Sequence, residues 1–187
     1  MLDPGNRYDG LSLSDMQMYG AEDMEELAMI LEALDRANGV QTRVEANAPG
    51  PAWAPLLRAP RRSMGALADA EVPSRPGVCA VFDMDEPVFL GKGTGQAGLR
   101  GRIRAHLATD ADLSRSTLRA SVAVDVLGVS RWTARQRPAS LPDWAVASVN
   151  ERLSEFHIAW VECSNADEAS DLKRRMLTEF RPEYNMR

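Results

Sequence analysis

Cysteine and histidine are scarce in this chain: Cys79, Cys163, His106 and His157 are all it has. So few thiols exclude a disulfide framework, and the four positions form no zinc-ligand spacing. Both cysteines therefore read as small buried apolar residues. Long apolar runs are also missing. Nothing approaches the roughly 18 residues that cross a bilayer, and the opening MLDPGNRYDG carries neither a basic nor an apolar signal region. The expectation is a cytoplasmic protein with no membrane partner. Internal repeats are absent too, which argues against a solenoid. What is present, 187 residues of which 44% are hydrophobic and 26% charged, suits one ordinary domain plus an extension.

The net charge of −5 is unevenly spread. Residues 1–75 hold 7 basic and 12 acidic side chains, whereas residues 76–187 hold 15 of each. Within the second part, residues 92–137 carry nine basic side chains against Asp110, Asp112 and Asp125. Such a strip meets phosphates or is a solvated arginine-rich helical face.

Three regions follow. Residues 1–39 contain an acidic amphipathic helix in which Met24, Leu27, Ala28, Leu31 and Leu34 share a stripe, acids crowd the first turns, and Gly39 marks the stop. Ser14 and Gln17 upstream fit a capping box. Residues 14–37 are a candidate surface for a protein partner or homo-oligomer. Residues 40–75 hold Pro49, Pro51, Pro55, Pro60 and Pro73, a linker or an irregular wrapping segment. From Pro76 the pattern tightens. GVCAVFD and EPVFLG form a β-hairpin about the turn 83–86, GKGTGQAG is a glycine loop, and LRGRIRAHL starts a helix with Leu99, Ile103 and Leu107 on one face. Helices are expected over about 114–128, 142–155 and 166–180, with HIAWVEC a third strand. The fold class is α+β: a small antiparallel sheet flanked by helices, with an N-terminal helical extension.

The glycine loop lacks the Walker spacing, which discounts a nucleoside triphosphate site. On the arginine helix, Arg102 and His106 share a face bordering the apolar stripe, so both are candidates to point into a cleft. Arg100 and Arg104 form a second i,i+4 pair on a more exposed face, suited to contacts with nucleic-acid backbone.

The ordered set Gly77-Val78-Cys79, Phe89-Leu90-Gly91-Lys92, LRGRIRAHL and EASDLKRRMLTEFRPEYN resembles the GIY-YIG nuclease superfamily over most of residues 76–187. The resemblance implies DNA phosphodiester cleavage with one divalent ion, Mg2+ or Mn2+, a tyrosine near the nucleophilic water, an arginine on the phosphate and a glutamate on the metal. By that resemblance Gly77, Cys79, Phe89 and Gly91 occupy motif positions, and Lys92, Arg102 and His106 are the candidate catalytic residues. Lys92, Arg100, Arg102, Arg104, Lys173 and Asn185 are the candidates for DNA or phosphate. Asn185 either fastens the tail across the sheet or orients the site; Tyr184 reads as packing.

The pattern is broken at three places. Cys79 and Phe89 stand where the family has tyrosines, and neither side chain offers a hydroxyl. Lys173 stands at the metal-binding glutamate, and an ammonium repels a cation. Glu168, Asp171 and Glu179 each point more than about 100° away from it on the helix; Glu168 has a capping job with Asn165. A distant acid such as Glu162 or Asp83 would have to replace the missing ligand. Lys173 itself reads either as a lysine lying along its own stem with its head in water, or as an ammonium holding a phosphate in the metal's place. No metal ligand is assigned. Three functions stay open: a nuclease with a rearranged site, a DNA-binding module with cleavage impaired or lost, and a regulatory subunit whose acidic helix docks a partner or masks the basic strip.

Overall fold

The structure is a computed structural model that describes residues 48–137, 139 and 141–186. The acidic helix expected over 14–37, its capping box and the extension it belongs to lie outside the described residues. A compact unit spans Ala46–Arg187.

The fold is α+β. A short helix α1 (Ala54–Arg58) leads into β1 (Arg62–Ser63), β2 (Gly77–Asp83), β3 (Glu86–Gly93), α2 (Gly98–Leu107), α3 (Thr117–Leu127), α4 (Arg131–Ala134), α5 (Asp143–Glu155), β4 (His157–Glu162), α6 (Ala166–Glu179) and α7 (Glu183–Met186). The four strands form one antiparallel sheet in the order β1-β4-β2-β3, which leaves β3 at an edge. That position explains Pro87: the ring removes a ladder donor, which an edge tolerates. Beside it the pairing shifts register between Val81 and Phe82.

Alternation along the strands builds a core on each face. Cys79, Val81, Phe89 and Ile158 join Leu99 and Ile103 of α2, Leu118 and Val122 of α3 and Val149 of α5. Val78, Ala80, Phe82, Leu90 and Ala159 join Trp53, Leu56 of α1 and Met176 of α6. Trp53 is fully enclosed, and its indole N–H donates to Met176 O at 2.9 Å, satisfying the one polar atom that burial would otherwise orphan.

The segment read as linker or wrapping turns out to wrap. Trp53, Leu56, Met64 and Val72 are buried, and Arg62 and Ser63 pair with Ile158 and His157. Its prolines break long elements, as their spacing implies, yet the apolar residues between them complete both cores. The compact unit accordingly begins at Ala46 and not at Pro76.

The helix α6 starts at Asn165, whose side chain accepts from Glu168 N at 2.9 Å. Glu168 returns the bond one residue earlier than a capping box would, to Ser164 N at 2.7 Å.

Candidate functional site

Edge strand β3 carries the candidate residues, and its alternation sends them to opposite faces. Phe89 faces α2 with Cys79, while Leu90 faces α6; Lys92 follows Leu90, and its ammonium donates to Ser170 Oγ of α6 at 2.6 Å.

On the α2 side the motif positions form packed core. Phe89 is 1% exposed, and Cys79 and His106 are fully enclosed. A Cβ at Gly91 would lie 3.0 Å from Cys79 Sγ, 3.1 Å from the Phe89 ring and 3.6 Å from His106 Nε2, so glycine is what lets these three groups close together. At Gly77 a Cβ would meet Val161 O at 2.3 Å, which no side chain survives. Burial pushes the Cys79 thiol up to about 11 despite the nearby charges of Arg102 and Lys173, so it stays protonated and inert.

His106 is enclosed in that core as well. Its Nδ1 meets Ser116 Oγ at 2.6 Å, its ring stands edge-on to Phe89 at 5.2 Å, and Nε2 has no hydrogen-bond partner. Burial, then the charges of Arg102, Lys173 and Arg119, hold its pKa well below 6.5. A neutral imidazole sealed from water has no route for exchanging protons with a substrate. This placement disfavours the general acid–base role considered for His106 and makes it a packing group instead.

Arg102 lies at the border of this core, half-buried. One guanidinium nitrogen donates to Thr117 Oγ1 at 2.9 Å, whereas Nε is buried without a partner. Burial lowers its proton affinity. From the α6 side comes Lys173, also half-buried, with no hydrogen bond or ion pair among the described residues. Burial lowers its pKa most, followed by Arg102, with Lys92 adding to the effect. Lys92, Ser170, Lys173, Arg174, Thr178 and Arg181 line a cleft of about 410 Å³. Arg174 is occupied by Asp171 at 2.9 Å; Arg181 has no acidic partner among the described residues.

The remaining candidates are committed elsewhere. Arg100 Nε donates to Val72 O at 2.7 Å, and Arg104 grips both carboxylate oxygens of Asp69 at 3.0 and 2.6 Å. On the face expected to carry them toward DNA, both guanidinium groups are engaged by the 69–72 turn. Asn185 proves to be the fastener: its amide donates to Leu90 O at 3.0 Å and its carbonyl accepts from Leu90 N at 2.6 Å. It thereby pairs an edge-strand backbone that would otherwise be bare. Tyr184 packs in the first core and donates to Asp125 at 2.9 Å.

The basic strip is not one surface. Arg119 is fully enclosed, donating to Asp110 O at 2.7 Å and Asn150 Oδ1 at 3.0 Å, and so clasps the 109–116 turn. Sequence reasoning missed this role, although an arginine at the third position of a helix otherwise lined by Leu118, Val122 and Ala123 is a signal for it.

The residues present do not suit a divalent cation. The side chains facing the cleft are ammonium, guanidinium and hydroxyl groups, and no three His, Cys, Asp or Glu side chains converge on a metal-sized space among the described residues. Asp83 is held by Arg152 and Glu162 faces Arg75 at 3.6 Å, so neither acid replaces the missing ligand. Among the described residues no helix is long and apolar enough to cross a membrane. Compared with family models, curated proteins and solved structures, the chain matches none.

Proposed function

We propose that this chain binds the phosphate backbone of DNA through a metal-free cationic cleft lined by Lys92 and Lys173, with Arg102 adding its charge from the border of the neighbouring core, and that it does not cut the strand. One observation carries the reading: the half-buried Lys173 ammonium has no carboxylate to balance it and two further cations nearby. Three like charges raise the free energy of the empty cleft, and an anion relieves it. Arg102 adds a second half-buried cation, one nitrogen of which is held by Thr117. Phosphate supplies acceptors and negative charge for these groups, and a polyanion supplies several at once.

Hydrolysis asks for more. Water must lose a proton to a nearby base, and positive charge must sit where the leaving oxygen develops. Cys79 and Phe89 offer no base, and His106 is enclosed. The GIY-YIG likeness of the motifs fits a scaffold whose phosphate grip outlasted its chemistry.

The test is fluorescence anisotropy with a labelled duplex in EDTA at several salt concentrations, beside a supercoiled-plasmid nicking assay in manganese. Binding in EDTA that weakens steeply with salt, a weaker slope for Arg102→Ala and Lys173→Ala, and intact plasmid are expected. Nicking abolished by Arg102→Ala would overturn the reading, as would an unaltered chain that cleaves as fast as the combined Phe89→Tyr, Lys173→Glu variant.

A further inference from the structure

We infer that Trp132 and Trp144 each offer a stacking surface for unpaired bases, so that the chain prefers DNA containing single-stranded nucleotides to uninterrupted duplex. The inference rests on the DNA reading above and names the kind of DNA.

Two of the four tryptophans are accounted for by the fold: Trp53 is enclosed, and Trp160 lies half-buried beneath the Arg62 guanidinium at 4.6 Å. Trp132 and Trp144 are 73% and 68% exposed. A single exposed aromatic is ordinary. These two are set apart by what surrounds them.

They flank a stretch with no acidic residue between Asp125 and Asp143, and it carries Arg131, Arg135 and Arg137. Arg131 and Arg135 are exposed and have no ion-pair partner among the described residues. Arg137 does have one, Asp112 at 3.4 Å, and Asp143 stands beside Trp144 at the start of α5. The balance therefore favours an anionic partner with flat apolar faces. Nucleotides meet both requirements: the rings of Trp132 and Trp144 stack on bases, and the arginines meet phosphates or add cation–π contacts. Base faces inside a duplex are already covered by their neighbours, so exposed indoles gain most where bases are unpaired.

The stretch is also tied to Arg102. Arg137 Nε donates to Ser114 Oγ at 2.6 Å, in the turn that precedes Thr117, and Thr117 holds Arg102. The helix α4, which carries Trp132, packs on α3, which begins with Thr117.

Tryptophan fluorescence of the full chain, titrated in EDTA with a thymidine strand of about sixteen nucleotides and with a duplex of equal length, tests this. The expected result is quenching by the single strand at roughly tenfold lower concentration than by duplex and, read by anisotropy of the labelled DNAs, loss of that preference in the Trp132→Ala, Trp144→Ala double variant with duplex affinity kept. Far-UV circular dichroism of the double variant checks that it is folded. Equal affinity for both DNAs, or a preference that survives in the double variant, overturns the inference. Single-strand preference that persists in Arg102→Ala with unchanged affinity sinks the phosphate cleft and leaves the stacking surface standing. Self-association that vanishes in the double variant, without quenching by DNA, assigns the indoles to a second copy of the chain and also overturns it.

Discussion

On the α2 side of β3, Phe89 and Gly91 meet Cys79 and His106 in a space closed to solvent; on the α6 side, Lys92 meets Ser170 and Lys173 across an open cleft. One strand supplies both surfaces from adjacent residues. The closed side is held by dispersion and area removed from water, and it tolerates His106 only as a neutral ring. The open side is held together poorly by its own charges. A protein keeps such a cleft at a cost in stability, and the cost is recovered when an anion arrives. The contrast separates the positions committed to the core from those that the proposed binding would use.

The largest expected effect breaks the closed side. Phe89→Ala removes an aromatic ring that is 1% exposed, which costs ~3–5 kcal/mol for the lost burial and the cavity left behind. Urea denaturation measures it. A loss under ~1 kcal/mol would mean that the ring is not core and that the motif position is still open to a ligand.

Lys173→Glu attacks the open side. It removes one cation and sets a carboxylate beside Arg102 and Lys92, so duplex affinity should fall at least about tenfold while Lys173→Ala falls less. Competition binding in EDTA at fixed salt gives both numbers. Equal affinities for the three chains would show that DNA does not enter this cleft. The same variant sharpens the comparison from the other direction, because the fold should survive with the new carboxylate paired to Arg102.

Much of this was legible before any coordinates. The short apolar runs GVCAVFD and EPVFLG about a polar turn, and the apolar periods of α2 and α6, placed the hairpin, the arginine helix and the closing helix within two residues of their ends. Periodicity reports burial, and burial positions those elements. The faces of Lys92 and Arg102 were harder to read, because they depend on which side of the edge strand each helix packs. The partners of Arg100, Arg104 and Arg119 were out of reach, even where the burial of Arg119 was signalled, since each is bound to a turn 9 to 35 residues away in sequence. The hairpin turn hid its mechanism as well. It has no glycine, and Met84 adopts φ 51° while Arg61 donates to Met84 O at 3.0 Å and Asp85 at 2.6 Å.

Acid should act on the closed side first. His106 is neutral in the folded chain because burial and the Arg102, Lys173 and Arg119 charges oppose its protonation, whereas the unfolded chain takes up that proton below about pH 6.5. The unfolded state thus binds more protons, and stability is present above this pH and lost below it. The loss should be about 1 kcal/mol between pH 6.5 and 5.5 and steepen toward the one-proton limit of ~1.4 kcal/mol per pH unit below that. Urea midpoints across that range, compared with His106→Gln, report it; identical slopes in the two chains would place the titration elsewhere.

The smallest effect is expected at Arg104, and its smallness is the point. Arg104 was a candidate for the same DNA backbone as Arg102, two residues away on the same helix. Its guanidinium instead forks onto Asp69 at the surface, with side chains 64% and 51% exposed. Such a pair is screened by water and salt and contributes little. Arg104→Ala should leave the urea midpoint unchanged within scatter and duplex affinity within about twofold, the behaviour of a surface ion pair. Arg102→Ala in the same assay should lower both the affinity and the salt slope. If the two substitutions instead weaken DNA binding alike, the helix presents a diffuse basic face to the duplex, and the distinction between a half-buried arginine with no acidic partner and a surface-paired one has no bearing on recognition.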